Sequence, residues 1–235
     1  MREKFRPWRD YLETILIAIL LALIVRTFIC SGYKVPTGSM APTLLPGDFI
    51  FAYRLPFGLP IPLTDFKIGM TAPVRGNVVV FTYPDQPRIR YVKRVIGLPG
   101  DQIRIQGGEI YINESKLIYQ QIANSPNSPN SKKSQNQDSY FKTVREIDGT
   151  SEREILVQKD GKSRSFGPIV VPPNEVFLLG DNRDTSDDSR YWGTVPMGRV
   201  ESKVILIWLS LDWQAKALDN RFPSLRWGRV MKGLD

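Results

Sequence analysis

The chain has 235 residues, of which 42% are hydrophobic and 24% charged, and its net charge is +8. This composition predicts one sizeable domain or two small ones with a hydrophobic core, and it excludes disordered and collagen-like chains. One cysteine and no histidine exclude an internal disulfide, histidine zinc sites and histidine-based catalytic triads. A magnesium or calcium site of carboxylates alone remains open, but we expect no metal and no other cofactor.

An apolar segment lies close to the N-terminus. Thr14–Val25 carries no charge, and a helix over residues 11–30 would be about 30 Å long, enough to cross a bilayer core. Basic residues before the segment predict a cytoplasmic tail over residues 1–10, by the positive-inside rule. We therefore predict a retained transmembrane anchor. A cleaved signal peptide is the alternative, because a basic start followed by a short apolar stretch is also its pattern.

The chain after residue 34 consists of short apolar runs divided by glycine and proline, which predicts a mainly β domain of many short strands. The clearest strand candidates are Asp48–Tyr53, Asn77–Tyr83, Arg88–Ile96, Glu109–Ile112 and Val204–Leu211. Turns are predicted at 98–101 and 172–175.

A polar segment interrupts this domain. Residues 120–139 are rich in Ser, Asn, Gln and Pro and contain too few apolar side chains to offset the entropy of ordering, which predicts a disordered loop. We place this loop in an inserted smaller subdomain over 102–168. The main β core is then predicted over 31–101 and 169–235.

The charge and the aromatic residues bear on possible partners. Basic residues are scattered among acidic ones, so we expect a lipid surface and not nucleic acid as a partner. Residues 53–66 are unusually apolar for a proline-rich connection, and they form either a buried loop or an exposed rim that contacts lipid. Three tryptophans also have two interpretations, because they either contact the membrane interface or belong to the core: Trp208, Trp213 and Trp227.

Lys93 lies in one of the predicted strands. Alternate side chains of a strand share a face, so Lys93 lies with Tyr91 and Val95 on the apolar face, while Arg90 and Arg94 lie on the face that can be wet. In a chain without histidine, a serine nucleophile needs an amine or a carboxylate as its base. A lysine is a base only when it is neutral, and burial lowers its pKa. The alternative is a lysine whose ammonium group reaches solvent.

A turn-rich segment supplies a candidate nucleophile. Ser39 follows Gly38 in a Pro-Thr-Gly-Ser sequence just after the predicted anchor. Its own N–H, together with the hydroxyl of Thr37, could form the two donors that stabilise an oxyanion. Taken alone, a Thr-Gly-Ser sequence is a turn in most proteins.

Four segments, in this order along the chain, resemble the consecutive motif boxes of type I signal peptidases: Gly38–Leu44, Arg75–Phe81, Tyr91–Asp101 and Gly180–Pro196. The similarity also extends to the predicted anchor. Two features depart from the family pattern. Asn77 stands where the family commonly has an acid, and residues 102–168 match only weakly.

The resemblance implies a role for individual residues. Ser39 matches the nucleophile, Lys93 the general base, and Thr37 the residue whose hydroxyl completes the oxyanion hole together with the Ser39 N–H. It also implies that Ser186 forms a hydrogen bond with Lys93 and that Asp188 and Arg190 form a supporting ion pair.

By this resemblance the chain is a membrane-bound serine endopeptidase that removes N-terminal signal peptides from exported preproteins. Its partners are those preproteins and membrane lipid, and we expect a monomer. The catalytic domain is expected on the extracytoplasmic side of a bacterial plasma membrane or a thylakoid membrane. One alternative is a membrane-tethered β binding module without catalysis. Another is a self-cleaving Ser/Lys regulator, although such a protein should be cytoplasmic and carry a DNA-binding helical region.

Overall fold

A computed structural model describes residues 6–24, 29–60, 67–122, 140–149, 151–159, 165–213 and 222–234. Within these ranges the protein is mainly β, as predicted. The described ranges contain two α-helices, α1 (Arg6–Ile24) and the short α2 (Ser189–Trp192).

Nine strands of the described chain form one large antiparallel sheet. They are β1 (Cys30–Lys34), β2 (Asp48–Tyr53), β5 (Val78–Thr82), β6 (Arg90–Gly97), β14 (Glu175–Leu179), β15 (Val195–Pro196), β16 (Val200–Asp212), β17 (Ser224–Leu225) and β18 (Lys232–Gly233). The order across the sheet is β1-β2-β16-β5-β6-β14-β15, with β17 and β18 paired to β16.

The remaining strands form three smaller sheets. They are β3 (Phe57–Pro60), β4 (Lys67–Met70), β7 (Gln102–Gln106), β8 (Glu109–Ile112), β9 (Ser115–Lys116), β10 (Ile118–Gln121), β11 (Phe141–Asp148), β12 (Ser151–Gln158) and β13 (Phe166–Val170). β3 pairs with β4, β13-β7-β8-β9 form a second sheet, and β10-β11-β12 form a third. All five strand candidates named from the sequence are therefore confirmed.

The central strand β5 is buried on both faces. Val78 and Val80 belong to one apolar cluster, whereas Val79 and Phe81 belong to another. Branched and aromatic side chains pack well on both sides of a pleated sheet, which accounts for the Val-Val-Val-Phe sequence. β6 pairs with β5, with Lys93 directly opposite Val79, which is fully buried, so Lys93 lies in a covered part of the sheet.

The predicted insertion packs against the large sheet. A third apolar cluster joins Ile103 and Ile105 of β7 to Ile96 of β6 and Phe177 of β14. The boundaries 102–168 of the subdomain stay a prediction. Most of the predicted loop at 120–139 lies outside the described residues, while Gln120 and Gln121 end β10.

The N-terminal helix differs from the predicted anchor at its C-terminal end. Residues 11–24 belong to α1, but Cys30 is the first residue of β1, paired with Tyr53 of β2. The predicted span to Cys30 is therefore wrong at that end, because strand pairing begins there. Among the described residues, no helix has the length and apolar character needed to cross a membrane.

The three tryptophans named from the sequence are exposed and are not part of the core. Trp208 stacks on Phe51, with 5.6 Å between ring centroids, and both rings are partly open to solvent. The apolar connection over residues 53–66 lies partly outside the described residues. Whether it is a buried loop or an exposed rim that contacts lipid therefore stays open.

Candidate active site

Ser39 and Lys93 meet in the folded chain. The Lys93 Nζ donates a hydrogen bond to the Ser39 Oγ over 2.8 Å, although the two residues are 54 positions apart. Lys93 comes from β6, whereas Ser39 lies in the turn between β1 and β2. A hydroxyl in contact with an amine is the arrangement that serine chemistry needs in a chain without histidine.

Lys93 is buried, with a relative exposure of 3%. Burial lowers the pKa of its ammonium group from 10.5 to about 8, since a charge is costly away from water. The carboxylates of Asp188, Asp187 and Asp181 act in the opposite direction, and Arg190 adds to the lowering. The predicted removal of Lys93 from water is therefore confirmed, and a useful fraction of the amine is neutral close to pH 8.

The last motif segment begins directly after β14. Because Leu179 of β14 pairs with Arg94 of β6, the next residue, Gly180, lies beside Lys93. A side chain at Gly180 would not fit, since its Cβ would lie 2.5 Å from the Ser39 carbonyl oxygen and closer still to the Ser186 Oγ. Glycine thus permits the close approach of the nucleophile turn to this segment.

Ser186 and Thr37 are near the site, but the structure gives neither hydroxyl a hydrogen bond there. The Ser186 Oγ is buried next to Gly180 and has no hydrogen-bond partner among the described residues. The predicted bond from Ser186 to Lys93 is therefore not formed in this structure. Thr37 is exposed on the bend that precedes Gly38.

Asp188 and Arg190 form a buried ion pair. The two carboxylate oxygens of Asp188 each accept from the Arg190 guanidinium over 2.8 Å. The same carboxylate accepts from the Gly180 N–H over 3.0 Å. The pair is thereby attached to the backbone beside Lys93, and an Arg–carboxylate fork of this kind fixes geometry strongly.

A second buried ion pair lies beside the first and corrects one prediction. Arg94 is buried and not on a wet face, because its guanidinium forms two hydrogen bonds of 2.8 and 2.6 Å with Asp181. Asp181 also accepts from the Thr43 hydroxyl over 2.5 Å. Asp181 therefore links Arg94, which follows Lys93 in β6, to Thr43, which lies in the same connection as Ser39 between β1 and β2. Arg90, in contrast, is exposed as predicted and bonds to Glu201.

The nucleophile turn is also held by Asn182. The Asn182 N–H donates to the Ser39 carbonyl over 3.0 Å, and the Asn182 Nδ2 donates to the Gly38 carbonyl over 3.2 Å. The sequence analysis gave Asp181 and Asn182 no role and assigned Arg94 only to the wet face. All three residues lie within the motif segments, but their contacts span from 87 to 144 positions in the sequence.

Comparison with known proteins decides the family. The model of the family "Signal peptidase, peptidase S26" matches residues 8–209. The chain belongs to this family. The match includes all four motif segments and the site built from them, and membership in a family of serine endopeptidases gives no support to a binding module without catalysis.

Several curated relatives are named signal peptidase I. The protein of Buchnera aphidicola subsp. Acyrthosiphon pisum is 36% identical, over 88% of this chain and 79% of the relative. That of Pseudomonas aeruginosa is 30% identical, over 90% and 75% respectively. A crystal structure of a signal peptidase I from Enterococcus faecalis V583 is 30% identical and covers 56% of this chain and 95% of its own, with a TM-score of 0.34.

Strands β11 and β12, which fall within the predicted insertion, also contact the last motif segment. Glu146 of β11 is fully buried between the guanidinium groups of Arg183 and Arg153. Burial acts to raise the pKa of Glu146, but the two guanidinium groups outweigh it and lower the pKa to about 2. Arg183 also accepts a hydrogen bond from Arg190 through its carbonyl oxygen. Glu146 of β11 therefore supports the segment that carries the Asp188–Arg190 pair.

Proposed function

We propose that the protein is a serine endopeptidase that removes signal peptides from exported preproteins, with Ser39 as nucleophile and Lys93 as general base. One observation carries this proposal, the 2.8 Å hydrogen bond between the Ser39 Oγ and a buried Lys93 Nζ whose pKa is about 8. The amine and the hydroxyl are in contact before any substrate binds, which becomes the starting geometry of general-base catalysis once Lys93 loses its proton.

The reaction follows from this geometry in two steps. Neutral Lys93 takes the proton of the Ser39 hydroxyl as the Oγ attacks the scissile carbonyl carbon, and the resulting ammonium group gives this proton to the leaving nitrogen as the C–N bond breaks. Lys93, neutral again, then takes a proton from a water molecule that attacks the carbonyl carbon of the ester. Lys93 gives this proton to the Ser39 Oγ as the ester C–O bond breaks, which releases the second product and restores the Ser39 hydroxyl.

Two donors are proposed for the oxyanion, the Ser39 N–H and the Thr37 hydroxyl. The position of Thr37, two residues before Ser39 on an exposed bend, leaves its hydroxyl able to reach a bound substrate. We assign the Asp188–Arg190 pair a supporting role, because it attaches to the Gly180 backbone beside the base. The buried and unpaired Ser186 hydroxyl would orient Lys93 after rotation of its side chain.

We also propose that α1 belongs to the predicted membrane anchor and that the catalytic domain lies on the extracytoplasmic side. The large apolar side chains of α1 between Trp8 and Leu23 are exposed, and hence available to lipid. Anchoring would hold enzyme and precursor at one surface and raise their effective concentration. Protease protection of tags at the two chain ends in sealed vesicles tests this topology: tags protected on the same side contradict it.

The catalytic assignment is tested by processing of a purified preprotein. Ser39→Ala and Lys93→Met should each reduce kcat by at least about a thousandfold, as expected for loss of a nucleophile or its base. Ser202→Ala and Lys142→Met are matched controls, one a buried serine and one an exposed lysine, and should process normally. Wild-type rates for either Ser39→Ala or Lys93→Met would overturn the assignment of these two residues as nucleophile and base.

A further inference from the structure

The direction of the Ser39 N–H depends on its neighbour in the chain. The Gly38 carbonyl and the Ser39 N–H belong to one planar trans peptide unit and point in opposite directions. A bond that fixes the Gly38 carbonyl therefore also fixes where the Ser39 N–H points. The proposed oxyanion hole uses this N–H, so the anchoring of Gly38 matters for the reaction.

Asn182 supplies that anchor. Its Nδ2 donates to the Gly38 carbonyl over 3.2 Å, and its own N–H donates to the Ser39 carbonyl over 3.0 Å. The Gly38 carbonyl also accepts from the Ala41 N–H over 3.0 Å, a bond local to the turn. Among the described residues the Ser39 N–H donates to no acceptor, so it is available to a substrate oxygen.

The backbone of Asn182 is itself held firmly. The preceding residue, Asp181, forms the buried ion pair with Arg94, and its carbonyl accepts from the Leu156 N–H over 2.9 Å. The Asn182 amide thus projects from a fixed segment to the nucleophile turn, which an anchor requires.

The other end of the same amide argues against a purely structural role. The Asn182 Oδ1 is buried and has no hydrogen-bond partner among the described residues. An unpaired buried acceptor costs at least as much free energy as one neutral hydrogen bond contributes. The bond from Nδ2 to Gly38 therefore adds little net stability, and its effect lies in orientation.

We infer that Asn182 is a positioning residue for the oxyanion hole, whose side-chain amide sets the direction of the Ser39 N–H. This inference rests on the proposed function of Ser39 as nucleophile. It is separate from proton transfer, because Asn182 donates to the carbonyls of the turn and makes no hydrogen bond with Lys93 among the described residues.

The test compares wild type with Asn182→Ala and Asn182→Leu, of which the second keeps approximately the shape but loses the donor and adds no charge. We expect kcat to fall about 10- to 100-fold, less than for outright loss of an oxyanion donor, while KM stays within about twofold. The melting temperature should stay close to that of the wild type. The pH at which kcat/KM is half-maximal should be unchanged, since Lys93 is unaffected.

A pair of inhibitors reports on the oxyanion hole directly. In a substrate-derived peptide aldehyde, the Ser39 Oγ adds to the aldehyde carbon and Lys93 takes the proton, which leaves an oxyanion in the hole. The peptide alcohol of the same sequence binds without this bond. In both variants the inhibition constant of the aldehyde should rise by the factor lost in kcat, and that of the alcohol should not change.

Four results would overturn the inference: an unchanged kcat, equal weakening of the aldehyde and the alcohol, a shifted pH midpoint, or a large loss of thermal stability in both variants. Failure here is distinguishable from failure of the proposed function. If Ser39→Ala processes preprotein, the proposed function is wrong. If Ser39→Ala is inactive but Asn182→Ala is fully active, only the role of Asn182 is wrong.

Discussion

Replacement of Lys93 by methionine should stabilise the protein while it abolishes activity. The folded state lowers the pKa of Lys93 from 10.5 to about 8. At about 1.4 kcal/mol for each pH unit, the folded protein therefore holds the protonated amine at a cost of about 3 kcal/mol. Methionine has a similar length and no charge, so Lys93→Met removes this cost. Loss of the hydrogen bond to Ser39 offsets about 1 kcal/mol of the gain.

The sign of the pH dependence follows from proton binding. Between about pH 8 and pH 10.5 the unfolded chain binds more protons at Lys93 than the folded chain, so wild-type stability rises with pH. Below about pH 8 both states are protonated, and the full cost is present. The advantage of Lys93→Met should thus be about 2 kcal/mol at pH 7 and should disappear as the pH approaches 10.5.

Urea unfolding followed by tryptophan fluorescence, at pH 7 and at pH 10, measures this difference. Lys142→Met serves as the control, because Lys142 is exposed on β11 and its loss should change the free energy of unfolding by less than about 0.5 kcal/mol. A Lys93→Met protein less stable than wild type at pH 7, or a difference that does not depend on pH, would refute the reasoning.

Two further substitutions test the surroundings of the site. Gly180→Ala places a Cβ 2.5 Å from the Ser39 carbonyl oxygen and should lower kcat at least about tenfold by displacing the turn, whereas Gly198→Ala, with open space around it, should not. An equal kcat for both glycine variants would contradict the close packing. Glu146→Gln should destabilise the fold by about 3–5 kcal/mol in urea, because it leaves Arg183 buried without its carboxylate. Wild-type stability should also fall below pH 4.5 as the pH approaches 2, since the pKa of Glu146 is lowered to about 2 in the folded state. A Glu146→Gln protein as stable as wild type would mean that this ion pair contributes nothing.

The parts of the site that sequence reasoning predicted depend on local pattern. The period of two along a strand was sufficient to predict that Lys93 is buried, since its neighbours on the same face are apolar. The absence of histidine limited the base to an amine or a carboxylate. The motif segments then supplied Ser39 as the partner of Lys93.

The parts that could not be predicted depend on contacts distant in the sequence. The same period of two assigned Arg94 to a wet face, because nothing in β6 reveals that Asp181 closes over that face. The bonds from Asn182 to the nucleophile turn have no local pattern either. Glu146 lies in the segment that matches the family weakly, so neither pattern nor resemblance pointed to its support of Arg183.

The central claim is that a buried, neutral Lys93 activates Ser39, and the pH dependence of kcat/KM for preprotein processing tests it most directly. The rate constant should rise about tenfold per pH unit, with a single deprotonation centred near the pKa of about 8, and level off above it. A rate constant that is unchanged from pH 5 to pH 9, or that rises with a midpoint in the range of a carboxylate, would contradict the account.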